Sequence, residues 1–295
     1  MYQVIQVPKG APEQFEQLGT KSKFWFENEA FLFKRGRQGT GENWAEKVSA
    51  EVASDLGLPH ASYELATFDQ HQGVVTPNFV PEGWRLVHGN ELIGVVSTRE
   101  TAMGELRRRM HTVRRVYALL KHPNILVPPT WNQPDAITNA AGVFVGYLML
   151  DALIGNQDRH EENWAVLVGS QQVRLSPTFD HASSLGRNES DEFRLTRMES
   201  IDTARSVDAY VRKAKSQLYD LAKKRLRTLE AFRAFAELEP EAGAHWQERL
   251  RRVSEERLRE VISEVPEEWI TEPARDFAYE MMRINRKLIL AETFQ

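Results

Sequence analysis

Asp158, Asn163 and Asp180 are the residues of this sequence whose types and spacing suit a defined chemistry. Asp158 and Asn163 lie five apart in the polar run GNQDRHEEN at 155–163, and Asp180 follows Asn163 by seventeen positions in Phe179-Asp180-His181. Together they offer two carboxylates and an amide, all oxygen donors, which suit Mg²⁺ better than zinc. One carboxylate can orient or deprotonate an attacking hydroxyl, while an amide and a later carboxylate hold a metal that bridges phosphates. The chain has no cysteine, so thiolate metal sites, disulfides and cysteine nucleophiles are excluded together.

The elements that must position these residues flank them. The polar run follows Ala140–Ile154, the most apolar stretch of the chain, and precedes two β-like runs at 164–168 and 172–175. A hairpin of those two runs carries Asp180 back beside Asn163. The D-x-x-x-x-N spacing matches a kinase catalytic loop. Two departures stand out: the histidine follows Asp158 by two residues instead of preceding it, and Asp180-His181-Ala182 lacks a third-position glycine.

Upstream, the aromatic runs 23–26 and 30–34, separated by Glu27-Asn28-Glu29, predict a β-hairpin. The glycine-rich stretch 36–41 has no following Gly-Lys-Ser/Thr, so it is not a Walker loop and reads as a connector. Trp44, Val48, Val52 and Leu56 recur at four-residue spacing and predict a helix over 43–56 that stops at Gly57. Short strands are expected at 63–68 and 73–80, then a connector at 77–94. Beyond it, helices are expected over 98–122, 134–154, 207–235, 244–262 and 272–294, with an irregular polar stretch at 155–206. The predicted class is α+β, with two lobes: a small β-rich one, residues 1–82, and a larger, mostly helical one, residues 83–295. The basic runs 223–227 and 249–252 have acids nearby (Asp220, Glu230, Glu248, Glu255, Glu256), so both are expected to be solvated helix faces with i,i+4 pairs.

Composition narrows the partners. The 295 residues are 41% hydrophobic and 27% charged, which suits a folded chain with a sizeable core. The net charge of -4 argues against a protein that coats duplex nucleic acid, which needs a basic excess. The apolar run 140–154 is interrupted by Gly142, Gly146 and Asp151, so no membrane span is expected, and the N-terminus does not read as a secretory signal. A cytoplasmic location is the expectation.

The segments Asn156–Asn163 (NQDRHEEN) and Phe179–Ser184 (FDHASS) resemble those of the HipA-like kinases, bacterial toxin kinases of the protein-kinase-like fold that are distantly similar to phosphatidylinositol 3/4-kinases. The chain looks like the short, HipT-like form, without the N-terminal subdomain of full-length HipA. The resemblance implies ATP and Mg²⁺ as cofactors, with Asp158 catalytic and Asn163 and Asp180 on the metal. It implies a phosphate loop at Gly19, Thr20, Lys21, Ser22 and Lys23, a nucleotide lysine at Lys34 and a helix glutamate at Glu46, which Glu42 and Glu51 rival. Phe79 and Val80 become the hinge beside adenine. His160 joins the cofactor-side set as a residue packed under the loop and bonded to backbone. Thr20 and Ser22 become autophosphorylation sites.

What the resemblance implies for partners is a protein substrate such as an aminoacyl-tRNA synthetase, and an antitoxin or a small HipS-like protein. Direct nucleic-acid or membrane binding is not expected. A lipid or small-molecule acceptor remains open, as do a metal-dependent nuclease using Asp158 and Asp180 and a binding-only pseudokinase.

Overall fold

The computed structural model describes residues 1–12, 14–15, 22–96 and 110–294. The first part is a six-stranded sheet in the order β1-β5-β6-β4-β3-β2. Its strands are β1 (Val4–Gln6), β2 (Gln14–Phe15), β3 (Lys23–Phe26), β4 (Phe31–Arg35), β5 (Glu64–Phe68) and β6 (His71–Pro77). The expected hairpin is β3–β4, with Lys23 opposite Lys34. Its turn puts Glu27, Asn28 and Glu29 all at positive φ. Phe24, Phe26 and Phe33 form a separate apolar cluster on this sheet with Val7, Ala66 and Val75. Helix α1 (Glu42–Leu56) follows β4 and ends on Gly57 in the left-handed conformation at φ 73, which suits glycine because it has no Cβ to clash.

A four-stranded sheet comes next, in the order β7-β9-β10-β8. It comprises β7 (Arg85–His88), β8 (Ile125–Leu126), β9 (Ala165–Val168) and β10 (Val173–Leu175). The 77–94 connector therefore contains β7 and the start of α2 (Gly89–Val96). Among the described residues the remaining elements are helices apart from one hairpin. Helix α3 (Val113–Leu120) starts at a Thr112 cap, so the helix expected over 98–122 is broken before Val113; residues 97–109 lie outside the described part. Helix α4 (Ala140–Ile154) is buried at every position. It is the central post of the main core, as a helix apolar on every face but for Asp151 must be. A Cβ at Gly146 would sit 2.5 Å from Leu58 and 2.6 Å from Trp246, so glycine is what lets both pack against α4.

Helix α5 (Asp191–Met198) lies inside the stretch expected to be irregular, and α6 (Val207–Val211) follows. The helix expected over 207–235 is wrong. After α6 the chain forms the hairpin β11 (Lys215–Tyr219) and β12 (Arg225–Arg227), and only then α7 (Thr228–Ala236). Ser216 and Leu218 are buried between more exposed neighbours, a period of two that helix-favouring lysines and alanines hide in the sequence. The helix expected over 244–262 is two, α8 (Pro240–Arg252) and α9 (Glu255–Ser263), split where Ser254 caps α9 by accepting the Arg257 N–H. Helix α10 (Glu272–Leu290) closes the fold. The class is α+β, as expected. Among the described residues, no helix is long and apolar enough to cross a membrane.

Candidate active site

The polar loop is built around Asp151, the one charge in α4. Gly155 caps α4 in the left-handed region, at φ 65, and turns the chain sharply. The Asp151 carboxylate then accepts the Asn156 side-chain amide at 2.8 Å and two Arg159 N–H bonds at 2.8 Å each. The third arm of Arg159 donates to the Asn163 carbonyl at 2.8 Å. Asp151 and Arg159 are both almost completely buried. A buried ion pair is tolerated when further hydrogen bonds support it, as the Asn156 amide and the Asn163 carbonyl do here. This clamp fixes the backbone on both sides of Asp158.

Asp158 is left half-exposed, where a substrate can reach it. Its N–H donates to Asn156 Oδ1 at 3.1 Å and its carbonyl accepts from Asn163 Nδ2 at 2.7 Å, so the Asn163 Oδ1 is oriented by its own amide's partner. Asp158 Oδ2 accepts from Ser183 Oγ at 3.2 Å. His160 Nδ1 accepts the Glu162 N–H at 3.1 Å, while its Nε2 lies 3.8 Å from Asp158, beyond hydrogen-bond range. His160 is thus bonded to backbone.

The β9–β10 hairpin returns the chain to this loop. Val168 pairs with Val173 and Val166 with Leu175. Beyond β10, Thr178 bonds the turn after α1, its N–H to Pro59 O at 2.9 Å and its carbonyl from Ala61 N at 2.8 Å. Asp180 follows in the left-handed conformation, φ 58. The Gln157 N–H reaches Ser183 O at 3.3 Å and the Leu185 N–H reaches Ile154 O at 2.9 Å, so the two polar segments are stitched together.

Tyr63 joins Lys34 to Asp180. Its hydroxyl accepts from the Lys34 ammonium at 3.4 Å and from the Asp180 N–H at 3.3 Å. Burial opposes the Lys34 charge, but Tyr63, Asp180 and Glu46 outweigh it and hold the lysine above its ordinary value. Burial pushes the Tyr63 phenol up as well, so it stays protonated. Glu46 makes no direct ion pair with Lys34. Its Oε1 accepts the His181 N–H at 2.7 Å, binding α1 to the residue after Asp180. Ser49 and Ser184 repeat that link at 3.1 Å. The rivals are engaged elsewhere: Glu51 with Lys47 at 2.7 Å, and Glu42 with Arg37 and Arg187. Lys34, Glu42, Asn43, Glu46 and Ala182 line one small pocket.

Other expected residues are dispersed. Gly19, Thr20 and Lys21 lie outside the described residues. Ser22 is exposed, and its carbonyl accepts the Arg35 N–H at 3.0 Å. Lys23 opens β3. Phe79 stacks on Phe179 with centroids 5.7 Å apart. The Val80 N–H, expected to face adenine, donates to Asn78 Oδ1 at 3.0 Å. The glycine stretch 36–41 is tied down at one end, where Gly41 N bonds Arg187 O at 2.9 Å.

The donor set fits Mg²⁺ and a nucleotide. Among the described residues there is no cluster of three or more His, Cys, Asp or Glu that could cage a metal. Mg²⁺ held by one or two side chains plus phosphates needs none. Sequence reading missed Tyr63, Asp151, Arg159 and Ser183. An aspartate inside an apolar helix, eight residues before an arginine, was the legible signal; Tyr63 reads only as the start of a strand.

A family model described as the HipA-like C-terminal domain matches residues 18–269. The crystal structure of the Helicobacter pylori proinflammatory kinase CtkA is similar, with a TM-score of 0.76 at 19% identity, covering 98% of this chain and 96% of that one. HipA of Shewanella oneidensis, solved with HipB and its operator DNA, is similar with a TM-score of 0.57 at 13% identity, covering 95% of this chain and 65% of that one. At these identities the likeness is one of fold, and the fold is protein-kinase-like. No curated protein matches the chain by sequence.

Proposed function

Because the chain belongs to the HipA-like C-terminal domain family, we propose that it is an ATP- and Mg²⁺-dependent kinase that transfers the γ-phosphoryl group to a serine or threonine hydroxyl of a protein. The observation that carries this reading is the Lys34–Tyr63–Asp180 bridge, in which the Tyr63 hydroxyl bonds the Lys34 ammonium and the Asp180 N–H, three residues before Ser183, which bonds Asp158. Residues 1–82 and 83–295 would be the lobes on either side of the nucleotide.

In this reading Lys34 binds nucleotide phosphates, and Asn163 and Asp180 hold the metal. Bound Mg²⁺ supplies charge neutralisation on the transferring group. Asp158 accepts the proton of the acceptor hydroxyl or orients it, and Ser183 holds Asp158 in place. The clamp on Asp151 keeps these groups fixed, and positioning is most of the catalysis in phosphoryl transfer.

Family membership and the solved HipA–HipB complex support a toxin of a toxin–antitoxin system. The proposed target is a translation component such as an aminoacyl-tRNA synthetase, in the cytoplasm, with an antitoxin or a small HipS-like protein as partner. The test is incubation of the purified chain with γ-labelled ATP and Mg²⁺ in a bacterial lysate. A labelled protein, absent with Asp158→Asn, supports the reading. Label confined to lipid or small molecules points to that acceptor class, and metal-dependent nucleic-acid cleavage without ATP would replace the reading with a nuclease.

A further inference from the structure

The two basic runs behave differently in the fold. Arg251 and Arg252 both pair with Glu248, at 2.5 and 3.1 Å, as a solvated helix face should, while Arg249 reaches back to bond the Leu56 carbonyl at 2.9 Å. The run 223–227 is not on a helix. It forms the turn and second strand of the β11–β12 hairpin.

On that hairpin Lys215, Lys223, Lys224 and Arg227 are exposed, as is Lys213 just before it. Among the described residues none of them has a carboxylate within ion-pair distance. The nearby acids are engaged: Asp208 with Arg212 at 2.6 Å, and Asp220 with the Lys224 N–H at 2.8 Å, where it closes the turn. Lys215 and Arg227 are direct cross-strand partners. Like charges placed opposite one another weaken a sheet, so the fold itself gains nothing from them. The hairpin is also fixed against the candidate catalytic loop. Lys215 N donates to Gln157 Oε1 at 3.2 Å and Gln217 Nε2 to Gln157 O at 3.0 Å, one residue from Asp158.

We propose that this hairpin is the docking surface for an acidic segment of the polypeptide that presents the acceptor hydroxyl to Asp158. The proposal rests on the kinase reading above and names its substrate class. The first strand of the hairpin is bonded to the residue before Asp158, and a chain of net charge -4 keeps this cationic patch local. Leu221, 75% exposed at the turn, sits among the cations. An apolar contact amid positive charge suits a polypeptide with acidic and apolar residues better than a phosphodiester backbone. Unpaired surface charges beside an active site act mainly on encounter and partner choice, and are screened by salt.

The test uses the full chain and three labelled probes in fluorescence anisotropy: a serine peptide flanked by Glu, Asp and Leu, an equal-length peptide flanked by Lys, Arg and Leu, and a single-stranded oligonucleotide. The acidic peptide is expected to bind at least tenfold tighter than the basic one at low salt. The preference should shrink at 150 mM salt and vanish in Lys215→Glu/Lys223→Glu/Lys224→Glu, whose melting temperature stays near that of the parent. Equal affinity for the two peptides, or a preference the triple variant retains, overturns the proposal. Tightest binding by the oligonucleotide, lost in the triple variant, replaces it with a nucleic-acid surface. A thermal melt with MgATP reports on the kinase reading separately. No shift there, with the acidic preference intact, rejects the kinase and leaves the docking surface standing.

Discussion

Arg159 grips Asp151 with two N–H···O bonds of 2.8 Å, both side chains almost wholly withdrawn from water. The pair ties the loop on both sides of Asp158, through the Asn156 amide to Asp151 and through Arg159 to the Asn163 carbonyl. Removing one partner strands a buried charge, which typically costs about 3–5 kcal/mol. Asp151→Ala is therefore expected to unfold far more readily in urea than the parent. Asp158→Asn, at a half-exposed position, should unfold within about 0.5 kcal/mol of it. Equal midpoints for Asp151→Ala and the parent would show that the clamp adds nothing.

Asp158→Asn should abolish transfer while MgATP still raises the melting temperature. The variant keeps the shape and loses the proton acceptor, and general-base contributions run to about 10²–10⁴ in rate. Asp180→Asn should weaken the MgATP shift as well, because a charged metal ligand becomes neutral. At a hundredfold excess of ligand over Kd the parent shift corresponds to about 2.7 kcal/mol. Near-normal transfer by Asp158→Asn would mean that the catalytic loop lies elsewhere.

Ser183 is a positioning residue. Its Oγ donates to Asp158 Oδ2 at 3.2 Å and accepts from Arg187 Nη2 at 2.9 Å, and Arg187 continues to Glu42 on α1. Ser183→Ala removes both hydrogen bonds, and loss of the one to Asp158 is worth about 0.5–1.5 kcal/mol, or a few-fold to tenfold in kcat. KM for ATP should hold, and Ser183→Thr should restore part of the loss. A change in KM alone would place Ser183 in nucleotide binding instead.

His111 should make the fold acid-sensitive. Trp164 Nε1 can only donate, and it lies 2.9 Å from His111 Nε2, so Nδ1 carries the proton and donates to Gln217 O at 3.2 Å. Burial pushes the His111 pKa down to about 4. Because the unfolded imidazole titrates near 6.5, protons favour the unfolded chain between the two values. Stability contributed here is full above pH ~6.5 and falls as the pH drops toward ~4, by up to roughly 3 kcal/mol. His111→Gln can keep both bonds without titrating. Its melting temperature should fall less steeply from pH 6.5 to 4.5 than the parent's; parallel slopes would assign the acid sensitivity to other groups.

Thr20 and Ser22 provide a test at the expected phosphate loop. Phosphate there adds about -1.5 to -2 charges where nucleotide phosphates must sit. Intact mass after incubation with MgATP should rise by one or two phosphates, and Thr20→Asp with Ser22→Asp should reduce the MgATP shift. No mass gain at any enzyme concentration excludes self-modification.

Local chemistry was legible in the sequence wherever one short segment decides its own form. The aromatic alternation of 23–35 fixes the β3–β4 hairpin, the four-residue apolar spacing with Gly57 fixes α1, and the two short runs after the polar loop fix the β9–β10 hairpin that returns the chain to it. Tertiary packing decided the rest. Glu42 and Glu46 share a helix face at i,i+4, and only the approach of Arg187 to one and of His181 to the other separates their roles. Tyr63 becomes a bridge because β4 and the segment after β10 converge on its hydroxyl from distant parts of the chain. Residues 215–227 carry helix-favouring side chains, yet their backbone pairs as a hairpin because Gln157 and His111 offer hydrogen bonds that a helix could not use. Intrinsic propensity differs by less than about 1 kcal/mol per residue, and a few anchored hydrogen bonds with burial of Ser216 and Leu218 outweigh it.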